Sequence, residues 1–230
     1  MAAVRNVAVF GKLFERVSRD EFKRGIGRFA THFDTELQRS AQTIAHSDIR
    51  HVGIITGFPC NLKHTPPTET DGPLGAFALA RSLLLMGKKV TVVTDDCNSA
   101  VMQACRDFMA NGGVTNSDAN ADAGAFAELD GEQQHFRRIS LASFPAITQW
   151  TDEQEQRLAK LSDSFDHVIA IERAGPAADG TYRTMRALDM SHLVAPLERI
   201  MELHERRGVR NSAALINVLP GTTSKCMPPS

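Results

Sequence analysis

Between Val52 and Gly75 the chain reads VGIITGFPCNLKHTPPTETDGPLG, a stretch that leaves few folds open. Val52, Ile54 and Ile55 form a short β-branched run, which reads as a buried strand covered on both faces. A polar, proline-rich loop follows. Beyond it Ala76, Phe77, Leu79, Ala80, Leu83 and Leu84 recur at helical spacing, so Thr70 or Asp71 is the expected N-cap, with Pro73 in the first turn. Gly87 and Lys88 close the helix, and VTVVT (Val90 to Thr94) supplies a second buried strand running into Asp95 and Asp96. Strand, helix and strand at this distance make a parallel, right-handed βαβ unit. The fold expected is therefore α/β, a Rossmann-like three-layer α/β/α arrangement around a mostly parallel sheet.

The flanking segments extend this unit. Asp20 to His46 places Phe22, Ile26, Phe29, Phe33 and Leu37 three or four apart and Ile44 two turns further on, which predicts amphipathic helices broken near Gly25 and Gly27. Asn98 or Ser99 should cap a helix carrying Val101, Met102, Cys105, Phe108 and Met109. A short strand is expected around Ile139 and Leu141, a helix capped by Thr151 or Asp152, a strand HVIAI (His167 to Ile171), and a last helix from about Ala195 to Arg207. Residues 113–138, rich in Ala, Asp, Asn and Gly, read as a solvated insertion, and 209–230 as an irregular tail. The domain is expected over 14–208. Residues 1–13 read equally as the start of a first helix or of a transit segment, because Arg5 and Lys12 alternate with apolar residues.

Composition narrows the function classes. Twenty-six basic against 27 acidic residues give no electrostatic case for nucleic acid or an anionic membrane as partner. No run approaches the roughly 20 apolar residues of a membrane span. Cys60, Cys97, Cys105 and Cys226 form no CxxC pair, which favours a reducing compartment over a disulfide framework. A small polar ligand remains.

Two loops carry the chemistry. One holds Glu69, Thr70, Asp71, Gly72 and Gly75; the other holds Glu172, Arg173 and Asp179. Each follows a buried strand, so a parallel sheet sets both on its carboxyl edge, where α/β folds bind ligands. A carboxylate there can move protons, an arginine can grip a substrate carboxylate with two hydrogen bonds, and a helix N-terminus presents N–H groups to an anion. Caps, a Glu172–Arg173 pair and an Asp179–Gly180 turn would account for the same residues structurally. Asp95, about 20 residues beyond Gly75, raises the alternative of a nucleotide ribose site, but the glycines do not make GxGxxG and no GxxxxGK[ST] loop is present. Cys60 and His64 have no second ligand pair at matching spacing, so no metal is expected, nor any cofactor.

TGFP (Thr56 to Pro59), ETDGP (Glu69 to Pro73), AIERAG (Ala170 to Gly175) and AADG (Ala177 to Gly180) together resemble the D-glutamate cyclase family, over roughly Phe14 to His204. The resemblance implies conversion of D-glutamate into 5-oxo-D-proline and water, in the mitochondrial matrix for the animal proteins, with the cytoplasm as alternative. Mapped onto that reaction, Glu69, Asp71 or Glu172 would transfer protons, Arg173 would hold a substrate carboxylate, and the amides around Gly72 and Gly75 would meet developing oxygen charge. The family's pattern continues with a Gly-Asp-Gly-Gly-Asn-Glu motif that has no counterpart between Gly208 and Ser230. A truncated domain with an incomplete sheet is therefore expected, which would favour self-association at an unpaired edge. Its rivals are a ligand-binding or interaction remnant without turnover, and the nucleotide enzyme.

Overall fold

The computed structural model describes residues 39–69, 71–111, 136–208 and 212–214. The chain divides into two units, Met1–His46 and Ser47–Ser230. In the first, residues 39–45 are helical; the helices expected further upstream, the segment 1–13 and most of the insertion lie outside the described residues.

The second unit alternates strand and helix: β1 (His51–Gly57), α1 (Asp71–Leu85), β2 (Lys89–Asp95), α2 (Ser99–Ala110), β3 (Ser140–Phe144), α3 (Asp152–Asp163), β4 (His167–Arg173), α4 (Glu198–Arg206) and β5 (Ser212–Ala214). The sheet order is β3-β2-β1-β4-β5 and every pairing is parallel. One expectation is corrected. The tail was read as irregular, yet Ser212–Ala214 pairs with Ile169 to Ile171 as β5; three small residues have no periodicity of their own, and the free side of β4 organises them.

Right-handed crossovers decide the layers. The chain moves from β1 through β2 to β3 in one direction, which sets α1 and α2 on one face; it then reverses to β4 and β5, which sets α3 and α4 on the other. Side chains of β1 alternate accordingly. Ile55 packs with Val93, Phe144, Leu158, Phe165, Val168, Leu197 and Ile200 in one core cluster, while Val52 and Ile54 point to the opposite face. Complete burial of such side chains contributes about 1.5–3 kcal/mol each. α3 is capped as the sequence suggested, the Thr151 hydroxyl accepting from the Gln154 N–H.

The amino end of the sheet is tied by polar groups. Asp166 accepts the N–H groups of Arg50 and His51, both at 2.8 Å. The His51 ring donates from Nδ1 to the Ser164 carbonyl at 2.8 Å and accepts at Nε2 from the Thr91 hydroxyl at 2.9 Å, the tautomer being set because a carbonyl only accepts. Burial, then the nearby Lys89 charge, lowers the His51 pKa.

The sheet order reverses direction between β1 and β4, so their carboxyl ends flank the topological switch point, where open α/β sheets form their crevice.

Candidate functional site

Both loops reach that edge. Phe58 from the first packs with Ala174, Tyr182, Met190 and Val194 from the second, with Cys60, Leu62 and Ile147 alongside. The long connection from β4 to α4 thus folds over the strand ends as a small apolar layer.

Beneath it the β1–β4 pairing slips. Thr56 pairs with Ile171 but Gly57 with Arg173, leaving Glu172 as an extra residue in the ladder. Its φ is 45°, a left-handed conformation that a glutamate adopts only at a cost of about 1–2 kcal/mol. Bulges of this kind re-aim side chains beside active sites. The re-aimed residue meets α1: a Cβ added to Gly72, in the helix's first turn, would lie 2.8 Å from Glu172 Cβ and 3.1 Å from Thr56 Oγ1. Only glycine lets the helix N-terminus approach so closely. Gly57, at φ 112°, is required in the same way, since a Cβ there would lie 2.5 Å from Asn98 Nδ2.

Arg173 departs from its expected role. Its side chain is 6% exposed and turned inward onto Asp95, which is 0% exposed. Both terminal nitrogens bind the Asp95 carboxylate, Nη2 to Oδ1 at 2.8 Å; Nη1 also donates to the Gly57 carbonyl at 3.2 Å and Nη2 to the Ala195 carbonyl at 2.6 Å. Burial opposes the guanidinium charge, and Asp95 more than offsets it, so the Arg173 pKa is raised. A substrate carboxylate would have to displace Asp95. Nor does Arg173 pair with Glu172, the structural alternative.

Asp95 is as fully engaged. Oδ1 also accepts the Ala195 N–H at 2.7 Å and Oδ2 accepts Asn98 Nδ2 at 2.9 Å, while Asn98 Oδ1 accepts the Thr68 hydroxyl. That chain ties the first loop to the ends of β2 and β4, and a ribose hydroxyl would have to displace one of the donors that already hold the Asp95 carboxylate. Cys97, beside it, has its pKa pushed up to about 12 by burial and then by the Asp95 charge, so its thiol is no nucleophile.

The other expected residues scatter. Glu69 is half-buried within its own loop, its carboxylate accepting the Cys60 thiol at 3.3 Å. Asp71, one of the two expected N-caps, is the first residue of α1; Thr70, the other, lies outside the described residues. Gly75 faces open space, with nothing within 4 Å of an added Cβ. Asp179 is exposed and accepts the Thr181 N–H and hydroxyl at 3.0 and 2.6 Å and Arg183 at 2.6 Å, a surface turn; the Thr181 bonds first, then Arg183, lower its pKa to about 2. Of the expected set, the structure therefore brings Gly72 and Glu172 together.

Sequence reasoning missed Thr56, though it stands in the TGFP motif, and the Tyr182–Glu198 pair. The Tyr182 hydroxyl donates to Glu198 Oε1 at 2.7 Å, and burial, only partly offset by that bond, raises the Glu198 pKa. No short-range signal marks a carboxyl that meets its partner 16 residues away.

The family profile described as "D-glutamate cyclase-like, C-terminal" matches residues 13–215. The chain belongs to that family. It is also similar to the D-glutamate cyclase, mitochondrial, of Homo sapiens, with 31% identity over 187 residues, which is 81% of this chain and 27% of the human protein. The chain thus matches about a quarter of that relative's length. The family's match takes in every element from β1 to β5 and both loops.

Proposed function

We propose that this member of the D-glutamate cyclase-like family converts D-glutamate to 5-oxo-D-proline and water, a carbon–oxygen hydro-lyase reaction on a small amino acid. The human relative's name supports the substrate. The observation in this chain that carries the proposal is Glu172, held in a left-handed bulge at the switch point and packed on the first turn of α1. Backbone strain in a residue with an ionisable side chain is a mark of functional sites.

The proton inventory suits one carboxylate. The substrate ammonium carries three protons and the product lactam nitrogen one; the γ-carboxylate loses an oxygen, which leaves with two protons as water. Nitrogen–carbon bond formation and carbon–oxygen cleavage therefore balance without a net proton, and Glu172 can pass protons from nitrogen to oxygen. Ring closure is intramolecular, so orientation supplies much of the acceleration. Glu69 and Asp71 are the secondary candidates for proton transfer. Arg173 and Asp95 position the end of β4 and do not touch substrate. Under the same proposal the chain works in the mitochondrion, in keeping with the relative's name, and within it in the matrix; among the described residues no helix is long and apolar enough to cross a membrane.

A second reading, ligand retention without turnover, is favoured by the inward turn of Arg173. One experiment separates the two. The purified chain and Glu172→Gln are incubated with D- and L-glutamate, and 5-oxoproline is followed by chiral chromatography. Product from the D form, falling about 100-fold or more in Glu172→Gln, is expected. A folded chain stabilised by D-glutamate yet forming no product supports retention; a folded chain that neither binds nor converts it sinks both.

A further inference from the structure

Residues 175–191, the larger part of the connection from β4 to α4, are bonded mainly to themselves. The Ala177 N–H donates to the Thr181 carbonyl at 2.8 Å, the Thr184 N–H to Leu188 at 2.9 Å and the Met190 N–H to Tyr182 at 2.8 Å. The Tyr182 N–H donates to the Ser191 hydroxyl at 2.9 Å, and Arg183 pairs with Asp179. Both ends are anchored. On one side Arg173 is clamped to Asp95. On the other, the Cys97 thiol donates to the Leu193 carbonyl at 3.3 Å, the Ile147 N–H to the Val194 carbonyl at 2.7 Å and the Ala195 N–H to Asp95 at 2.7 Å. Between the anchors the attachment is sparse. Besides the turn at its own end, where the Leu193 N–H donates to the Met190 carbonyl at 2.9 Å, the segment makes one hydrogen bond to the other described residues: the Tyr182 hydroxyl donates to Glu198 Oε1 at 2.7 Å. Apolar contact supplies the rest, with Tyr182 and Met190 packed on Phe58, Ala174 and Val194. A unit bonded within itself and held to its neighbours by a few side chains opens more readily than the domain unfolds.

We propose that residues 175–191 are a flap that swings as a unit away from the carboxyl ends of β1 and β4, admitting a small polar ligand to the crevice there, with the Tyr182–Glu198 hydrogen bond as its latch. The two halves of the latch stand on different bodies: Tyr182 lies midway along the flap, and Glu198 is the first residue of α4. Gly175, at the first hinge, has nothing within 4 Å of an added Cβ, so the backbone can turn there without collision. Flaps of this kind exclude water when shut and gate entry and release. Any ligand of the crevice would have to pass this one, whether or not it is D-glutamate.

The chain carries its own reporters. Met190, on the inner side of the flap, is 0% exposed; Met185, at its tip, is 66% exposed; Met102, in α2, is 0% exposed. Treating the full chain with dilute hydrogen peroxide and following each sulfoxide by mass spectrometry therefore separates flap opening from unfolding. Met185 should oxidise first, Met190 next and Met102 last. Tyr182→Phe, which deletes only the hydroxyl, should speed Met190 about tenfold, the loss of one buried hydrogen bond, and leave Met102 unchanged. Glu198→Ala should do the same, and the double variant no more, because the two side chains share one bond. Saturating D-glutamate should slow Met190 in the wild type. If Met190 oxidises in step with Met102 in the wild type the cover is fixed, and if in step with Met185 it is unlatched; either overturns the proposal. So does a Tyr182→Phe chain whose Met190 keeps its rate or speeds only along with Met102, or a double variant whose effects multiply. Turnover of D-glutamate with no change at Met190 overturns the gating. Release of Met190 alone by Tyr182→Phe, in a folded chain that neither consumes D-glutamate nor is protected by it, keeps the flap and sinks the cyclase reading.

Discussion

Replacing Asp95 with asparagine should be among the most damaging conservative changes in this chain. All four contacts of the carboxylate are with donors: the two terminal nitrogens of Arg173, Asn98 Nδ2 and the Ala195 N–H. An amide NH2 set on either oxygen's position would point its hydrogens at hydrogens. Arg173, 6% exposed, would be left without its counter-charge. Breaking one partner of a buried pair costs about 3–5 kcal/mol, a large part of the roughly 5–15 kcal/mol that holds a domain together. With a urea slope of about 2 kcal/mol per molar, the midpoint should fall by roughly 2 M. Arg173→Met should fall comparably, because it strands the Asp95 charge. The double variant Asp95→Asn, Arg173→Met should be much less damaged than the two losses together, since no buried charge remains. A midpoint for Asp95→Asn within about 0.3 M of wild type, or strict additivity in the double variant, would refute the reasoning.

Two further outcomes follow from single residues. Glu172→Gly should stabilise the fold by about 1 kcal/mol in urea titration, because glycine accepts φ 45° without strain, while 5-oxoproline formation disappears; destabilisation would show that the Glu172 side chain serves packing. His51 has a lowered folded pKa, so the unfolded chain takes its proton first, near pH 6.5; stability should be complete above that value and decline as pH falls below it, and His51→Gln, whose amide can donate to Ser164 and accept from Thr91, should flatten that part of the curve.

The strands that could be read from sequence were those whose burial wrote itself into β-branched runs, VGIIT, VTVVT and HVIAI. β3 was less plain, since SLASF is only partly buried at the sheet edge, and β5 was illegible because its three residues owe their strand to β4. The meeting of the two loops was legible for a topological reason: each leaves a parallel strand, and parallel strands end on one edge. What the loops' side chains do there was not. Whether Arg173 points out to a ligand or in to a counter-ion depends on Asp95, 78 residues away, and on a register slip between β1 and β4. Nothing local encodes either. Thr56 escaped notice because a threonine in a buried strand is ordinary until its hydroxyl is found without a hydrogen-bond partner among the described residues.

The register slip and the Asp95 network belong to one device. A bulge in a parallel pair leaves the extra residue without ladder bonds, and a left-handed glutamate would relax into the β region unless its neighbours were fixed. They are fixed on both sides. Ile171 stays in register with Thr56, and Arg173, the next residue after Glu172, is clamped through Asp95 to Asn98 and the Ala195 backbone and through Gly57 to the partner strand. The guanidinium therefore does more for the site by facing inward than it could as one more ligand to a carboxylate. It holds the backbone that turns Glu172 toward α1, and the strain is maintained by a buried ion pair. An arginine in such a loop next to a glutamate invites a substrate role; here its guanidinium is committed to Asp95, and under the proposed function that role falls to Glu172.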